Sequence, residues 1–111
     1  MVVLKEHNEH CREIVDNLRE IVNGSKVNDD GDEITLYDYI SDCLDIEYRI
    51  DSRLCYKSCK LLLAFGGPNI YLDTAEKQVK LLWWNEYGDC YVDSEICDAI
   101  DEIVEELYDE R

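Results

Sequence analysis

The chain has 111 residues, 27 of them acidic against 11 Lys and Arg, for a formal net charge of −16 at pH 7. With 46% hydrophobic and 10% aromatic residues it holds enough apolar material for a core, which excludes a disordered acidic tail. So large a negative excess on a chain of single-domain length argues against binding a nucleic-acid backbone or an anionic membrane surface.

In chain order, residues 5–23 read as a helix. Cys11, Ile14, Val15, Leu18, Ile21 and Val22 recur at helical spacing, and Asn23-Gly24-Ser25 supplies the stop. Asn28 to Asp32 form a polar turn cluster. Thr35 with Asp38 three residues on is a capping-box variant, opening a short helix to about Asp45 with Leu36, Tyr39, Ile40, Cys43 and Leu44 as its apolar stripe. The period then changes to two. Ile46, Tyr48 and Ile50 predict one strand, and Cys59, Leu61, Leu63 and Phe65 share one face of a second. Leu62 and Ala64 suggest that the end of this second strand is covered on both sides. Gly66 to Asn69 reverse the chain, Ile70 to Asp73 make the third strand, and Gln78 to Trp84 the fourth. Trp83 and Trp84 point to opposite faces of it, so one indole belongs in the core. After a loop at Asn85–Asp89 and a short extended piece, Asp93 or Ser94 caps a last helix to about Asp109, with Ile96, Ile100, Ile103, Val104 and Leu107 as its stripe. The expected fold is a single α+β domain over residues 1–111. It has two N-terminal helices, an antiparallel meander of three to four strands, and a C-terminal acidic helix packed on one sheet face.

No export signal and no apolar run of membrane-spanning length are evident, so a cytoplasmic protein is expected. The six cysteines, mostly on apolar phases, then read as reduced and buried. Catalytic and metal motifs are weak. His7, His10 and Cys11 sit close on the first helix, but their spacing is not that of a zinc protease, and a frayed first turn explains them better. Asp29 to Glu33 lack the alternating ligands of a calcium loop. Cys55 and Cys59, if in one strand, lie about 13 Å apart, too far for one zinc or a disulfide. Gly66-Gly67 precedes a strand, so it is a hairpin and not a phosphate loop, and no nucleophile–base pair stands out. The expectation is a non-enzyme without cofactor or metal. Eight tyrosines against one phenylalanine suit a binding surface, or a sheet edge whose hydroxyls face water.

The charge is segregated. Residues 1–27 carry net −1, residues 28–51 net −8, residues 52–85 net +3 and residues 86–111 net −10. On the last helix Glu95, Asp98, Asp101, Glu102, Glu105, Glu106 and Asp109 stand opposite the apolar stripe, with Arg111 the only base. Spacings of three and four place these carboxylates roughly 5–6 Å apart with no interleaved lysine. Asp30, Asp32, Glu33, Asp38 and Asp42 come from the other acidic segment. Together these twelve are the candidate partner-binding residues, a row of charges that imitates nucleic-acid phosphates and is steered to a basic groove. Acidity that merely serves solubility, in an adaptor domain whose sheet and tyrosines make the contact, is the alternative.

In the segment Leu62 to Thr74, followed by Val79-Lys80-Leu81-Leu82-Trp83-Trp84, the chain resembles small acidic proteins of Gram-positive bacteria and their mobile elements. In size, acidity and α+β character it is also similar to phage-encoded anti-CRISPR and anti-restriction proteins. That resemblance implies an inhibitor in the host bacterial cytoplasm. It would occupy the nucleic-acid groove of a guide-directed nuclease such as a Cas9-type effector, with the PAM-reading site as a target, and no catalytic residues are carried over from the resemblance. A homodimer, which would double the acidic surface, is left open.

Overall fold

The computed structural model describes residues 2–110; Met1 and Arg111 lie outside them. The elements in order are β1 (Val2–Val3), α1 (Lys5–Val22), α2 (Leu36–Ser41), β2 (Asp45–Ile50), β3 (Tyr56–Ala64), β4 (Asn69–Asp73), β5 (Gln78–Trp83), β6 (Glu86–Tyr91) and α3 (Ser94–Asp109). The α+β class holds, but the sheet is larger than expected. Six strands lie in the order β1-β6-β5-β4-β3-β2, an antiparallel meander with β1 added in parallel to β6.

Local chemistry sets the helix ends. At Gly24 (φ 80°) the chain turns left-handed, and the amides of Gly24 and Ser25 donate back to the carbonyls of Ile21 and Glu20, a Schellman closure of α1. The Thr35–Asp38 capping box is present in both directions at α2. The helix stops at Ser41, short of the expected Asp45, because Asp45 is already paired with Leu62 across the β2–β3 ladder. Asp93 is the N-cap of α3 but makes no side-chain cap bond; its carboxylate accepts from Arg19 of α1 at 2.8 and 2.9 Å.

One face of the sheet carries all the packing. In register across the strands run Ile46, Leu61, Leu72, Val79 and Cys90, and beside them Tyr48 with Cys59 and Ile70 with Leu81. These meet Cys11, Val15 and Leu18 of α1, Ile40 of α2, and Ile96, Cys97, Ile100 and Val104 of α3 in one apolar cluster. Helix α1 crosses β6 closely: a Cβ on Gly88 would lie 2.4 Å from the Cβ of His7. Only glycine allows that approach.

The opposite face has no helix on it. Its rows are Glu47-Lys60-Asp73-Gln78-Tyr91 and Asp45-Leu62-Tyr71-Lys80-Asp89. Leu62 is half-buried on this face with no helix over it, whereas Ala64, opposite Ile70 beyond the register shift, packs against the core, so the expected cover on both sides of β3 is missing. Arg49 donates to both oxygens of Asp73 (2.9 and 2.6 Å) and to Ser58, tying the edge strand β2 across β3 to β4. Asp73 is 1% exposed and also accepts the amides of Ala75 and Glu76 in the next turn. Burial acts to raise its pKa, yet the Arg49 guanidinium and the two amides hold it at about 2.

Two expectations about aromatics fail. Phe65, assigned to the core face of β3, is 74% exposed, because the register shifts between Leu62 and Ala64 and the strand ends there. Neither indole is in the core: Trp83 is 42% exposed and Trp84, at φ 59° in the β5–β6 turn, is 87% exposed.

Candidate protein-binding surface

Helix α3 turns its apolar stripe inward and its carboxylates outward. Glu95, Asp98, Glu102, Glu105, Glu106 and Asp109 are all exposed. Asp101 departs from the row: it is half-buried and accepts a 2.6 Å bond from the hydroxyl of Tyr56. Burial first, then that bond, raises the Tyr56 pKa far above the ordinary phenol value, so the hydroxyl stays a donor. Tyr56 and Tyr48 pack their rings on Tyr108 at 6.3 and 5.4 Å, and the Tyr108 hydroxyl donates to the carbonyl of Leu54. These three tyrosines are wedged between sheet and helix rather than offered to a partner.

The second acidic segment folds against the first. Asn28 shapes the loop after α1, its side-chain oxygen accepting the amides of Asp30 and Asp32. Asp30, Asp32 and Glu33 are exposed there. Asp38 is committed to the capping box, and Asp42 is the C-cap of α2; both line a shallow depression with Asn28, Ile34 and Ser41. Helix α2 packs on α3, and a cleft of about 380 Å³ opens between them and the end of α1. Its floor is Ile21, Val22, Leu36, Ala99 and Ile103, and Glu33 and Glu102 stand in its wall. The two acidic segments therefore meet at this cleft, through residues 69 positions apart.

None of the twelve candidate carboxylates forms an ion pair among the described residues. Five of the basic groups are paired with other acids: Arg19 with Asp16 and Asp93, Lys26 with Glu20, Arg49 with Asp73, Lys57 with Asp51, and Lys80 with Glu76. Lys60 sits over the Tyr71 ring at 4.1 Å. Arg111, the base expected on the last helix, lies outside the described residues. The structure brings Glu33 and Glu102 together and leaves Asp38 and Asp42 at a separate depression, and un-neutralised carboxylates of this kind concentrate negative potential for a cationic partner.

The weaker motifs are dispersed. His7 is part-buried with its Nε2 2.8 Å from a carboxylate oxygen of Glu86, while Cys11 is fully buried. Burial, with Cys90 and Asp89 nearby, pushes the Cys11 thiol up to about 12, leaving it uncharged at neutral pH. No group of three metal-ligating side chains assembles among the described residues. Cys55 lies outside β3, exposed, where its amide donates to Asp51. No described helix is long and apolar enough to cross a membrane.

Sequence reasoning missed a second exposed feature. The β3–β4 and β5–β6 turns lie at the same end of the sheet, and Phe65, Gly66, Gly67, Asn69, Leu82, Trp83 and Trp84 line a cleft of about 270 Å³ there. The adjacent Trp83-Trp84 pair just before Asn85 was the available signal, since a tryptophan placed in a turn has no core to enter. Comparison of the chain with protein-family models, with curated proteins and with solved structures gave no match.

Proposed function

We propose that the protein is a non-enzymatic inhibitor that lays its acidic helical side into the basic nucleic-acid groove of another protein. The expected target is a host guide-directed nuclease of the Cas9 type. What supports this reading above all is the meeting of the two acidic segments at Glu33 and Glu102, with no ion pair to any candidate carboxylate among the described residues. Acidic residues spread for solubility alone have no reason to gather or to go unrelieved by interleaved lysines. A groove that binds DNA presents arginines and lysines spaced for phosphates, and a rigid helix of carboxylates offers it comparable charge without a nucleic-acid backbone. Binding is then steered by charge and excludes the nucleic acid by occupancy.

The test is competition. A purified Cas9-type nuclease with its guide is titrated with the protein while binding of labelled target DNA is followed, at low and at high salt. The proposal expects displacement of DNA, weakened at least about tenfold by raised salt, and by the combined reversal Glu102→Lys, Glu105→Lys, Glu106→Lys. A complex indifferent to both salt and reversal would sink it and favour an adaptor whose contact is made by the sheet.

A further inference from the structure

The two-turn end of the sheet differs from the rest of the surface. No acidic residue occurs from Ser52 to Leu72 or from Lys77 to Asn85, so both turns are free of carboxylates. The acids that border this end are Glu86, held by His7, and Asp45, opposite Leu62 at the start of β2. On this charge-poor end sit Trp84, 87% exposed, Phe65, 74% exposed, and Trp83, 42% exposed. Val2 and Val3, exposed on the strand beyond β6, continue the apolar surface. Taking 150–250 Å² per aromatic ring, the exposed parts of the three rings amount to about 450 Å². That is the size of the largest apolar patch on a typical monomer, and such patches are often functional.

From this we infer that the end is a self-association surface, joining a second copy of this chain through Phe65, Trp83 and Trp84. Three observations select that occupant. Two bodies of net charge −16 repel each other least when the surfaces brought together carry no acids, and these two turns carry none. A two-fold contact sets the same patch of each copy against the other, which would bring each Trp84 to its partner's cleft. Trp84, largely exposed, stands in the wall of the cleft of about 270 Å³ between the two turns. A cavity of about 150 Å³ is known to admit a benzene ring, so this cleft can receive the partner's indole. Finally, the rings of two copies bury about 900 Å², close to the roughly 1,000 Å² at which specific interfaces begin, and Val2, Val3 and Leu82 supply the remainder. An anionic membrane or a nucleic acid is disfavoured at the same end by the net charge of the whole molecule.

The salt response separates this contact from the acidic surface. Screening weakens repulsion between like-charged copies, so dimerisation strengthens with salt, whereas attraction to a basic target weakens. The experiment is sedimentation equilibrium from micromolar to near-millimolar protein, at low and high salt. It compares the wild type with Trp84→Asn, a residue that tolerates the left-handed turn, and with Phe65→Ser. The average mass of the wild type is expected to climb towards twice the monomer with concentration and with salt. Each variant should weaken association at least about tenfold while keeping the wild-type circular dichroism. A wild type that stays monomeric at high concentration and high salt overturns the inference. So does a dimer that both folded variants leave intact.

Discussion

The unrelieved carboxylates of α3 make a quantitative prediction: they should destabilise the protein that carries them. Within Ser94–Asp109 the pairs Asp98–Glu102, Asp101–Glu105, Glu102–Glu105, Glu102–Glu106, Glu105–Asp109 and Glu106–Asp109 lie three or four residues apart. At roughly 0.2–0.5 kcal/mol per like-charged pair, the six together cost about 1–3 kcal/mol at low ionic strength. The negative C-terminal end of the helix dipole adds to this at Asp109. The triple variant Glu102→Gln, Glu105→Gln, Glu106→Gln removes all six repulsions while keeping side-chain length and helix propensity. Its Tm in low-salt thermal denaturation should rise by about 5–10 °C. Near 1 M salt the Debye length falls to about 3 Å, below the spacing of the pairs, and the gap between variant and wild type should shrink to less than half. In the competition assay the same variant should inhibit less. If neutralisation leaves Tm unchanged or lowers it at low salt, the carboxylates are not in conflict, and their clustering is no argument for function.

Two further predictions concern the scaffold. Asp73→Asn keeps acceptors for the Ala75 and Glu76 amides but loses the charge that pairs with Arg49. Because the folded Asp73 is held at about 2, below its unfolded value, its stabilisation is complete above about pH 4 and is lost as pH falls through 2. Wild type should exceed the variant by about 2 kcal/mol in urea denaturation at neutral pH, and the two should converge near pH 2; a constant gap would contradict the ion-pair account. Gly88→Ala drives a methyl into the backbone of His7, so a loss of at least about 2 kcal/mol is expected in the same assay. A variant as stable as the wild type would mean that α1 does not cross β6 so closely.

Much of the helical layer was legible because its signals are local. The stripes of α1 and α3, the Thr35–Asp38 box and the period-two stretches in β2 to β5 each lie within a few turns or residues. Most of strand β6, Glu86 to Asp89, was read as a loop for a physical reason. Its helix-facing residues Glu86, Gly88 and Cys90 are polar or small where α1 presses close, which erases the hydrophobic alternation. With two residues, β1 is too short to show any period, and its pairing is visible only once β6 exists. The exposed ends of β3 and β5 were misassigned because a register shift and a left-handed turn interrupt the alternation that placed Phe65 and Trp84. At the candidate surface the charges were countable in advance. Their meeting at the Glu33–Glu102 cleft was not, since only the packing of α2 on α3 brings those segments together.

The placement of α1 on β6 has a consequence for synthesis on the ribosome. The helix ends at Val22 and the strand it covers begins at Glu86, so 63 residues must follow the helix before that strand starts to appear. At about 5–20 residues per second this takes about 3–13 s. Through that interval Cys11, Val15, Leu18 and Ile21 lack the strand that α1 packs on most, although β5, which it also touches, is made just before.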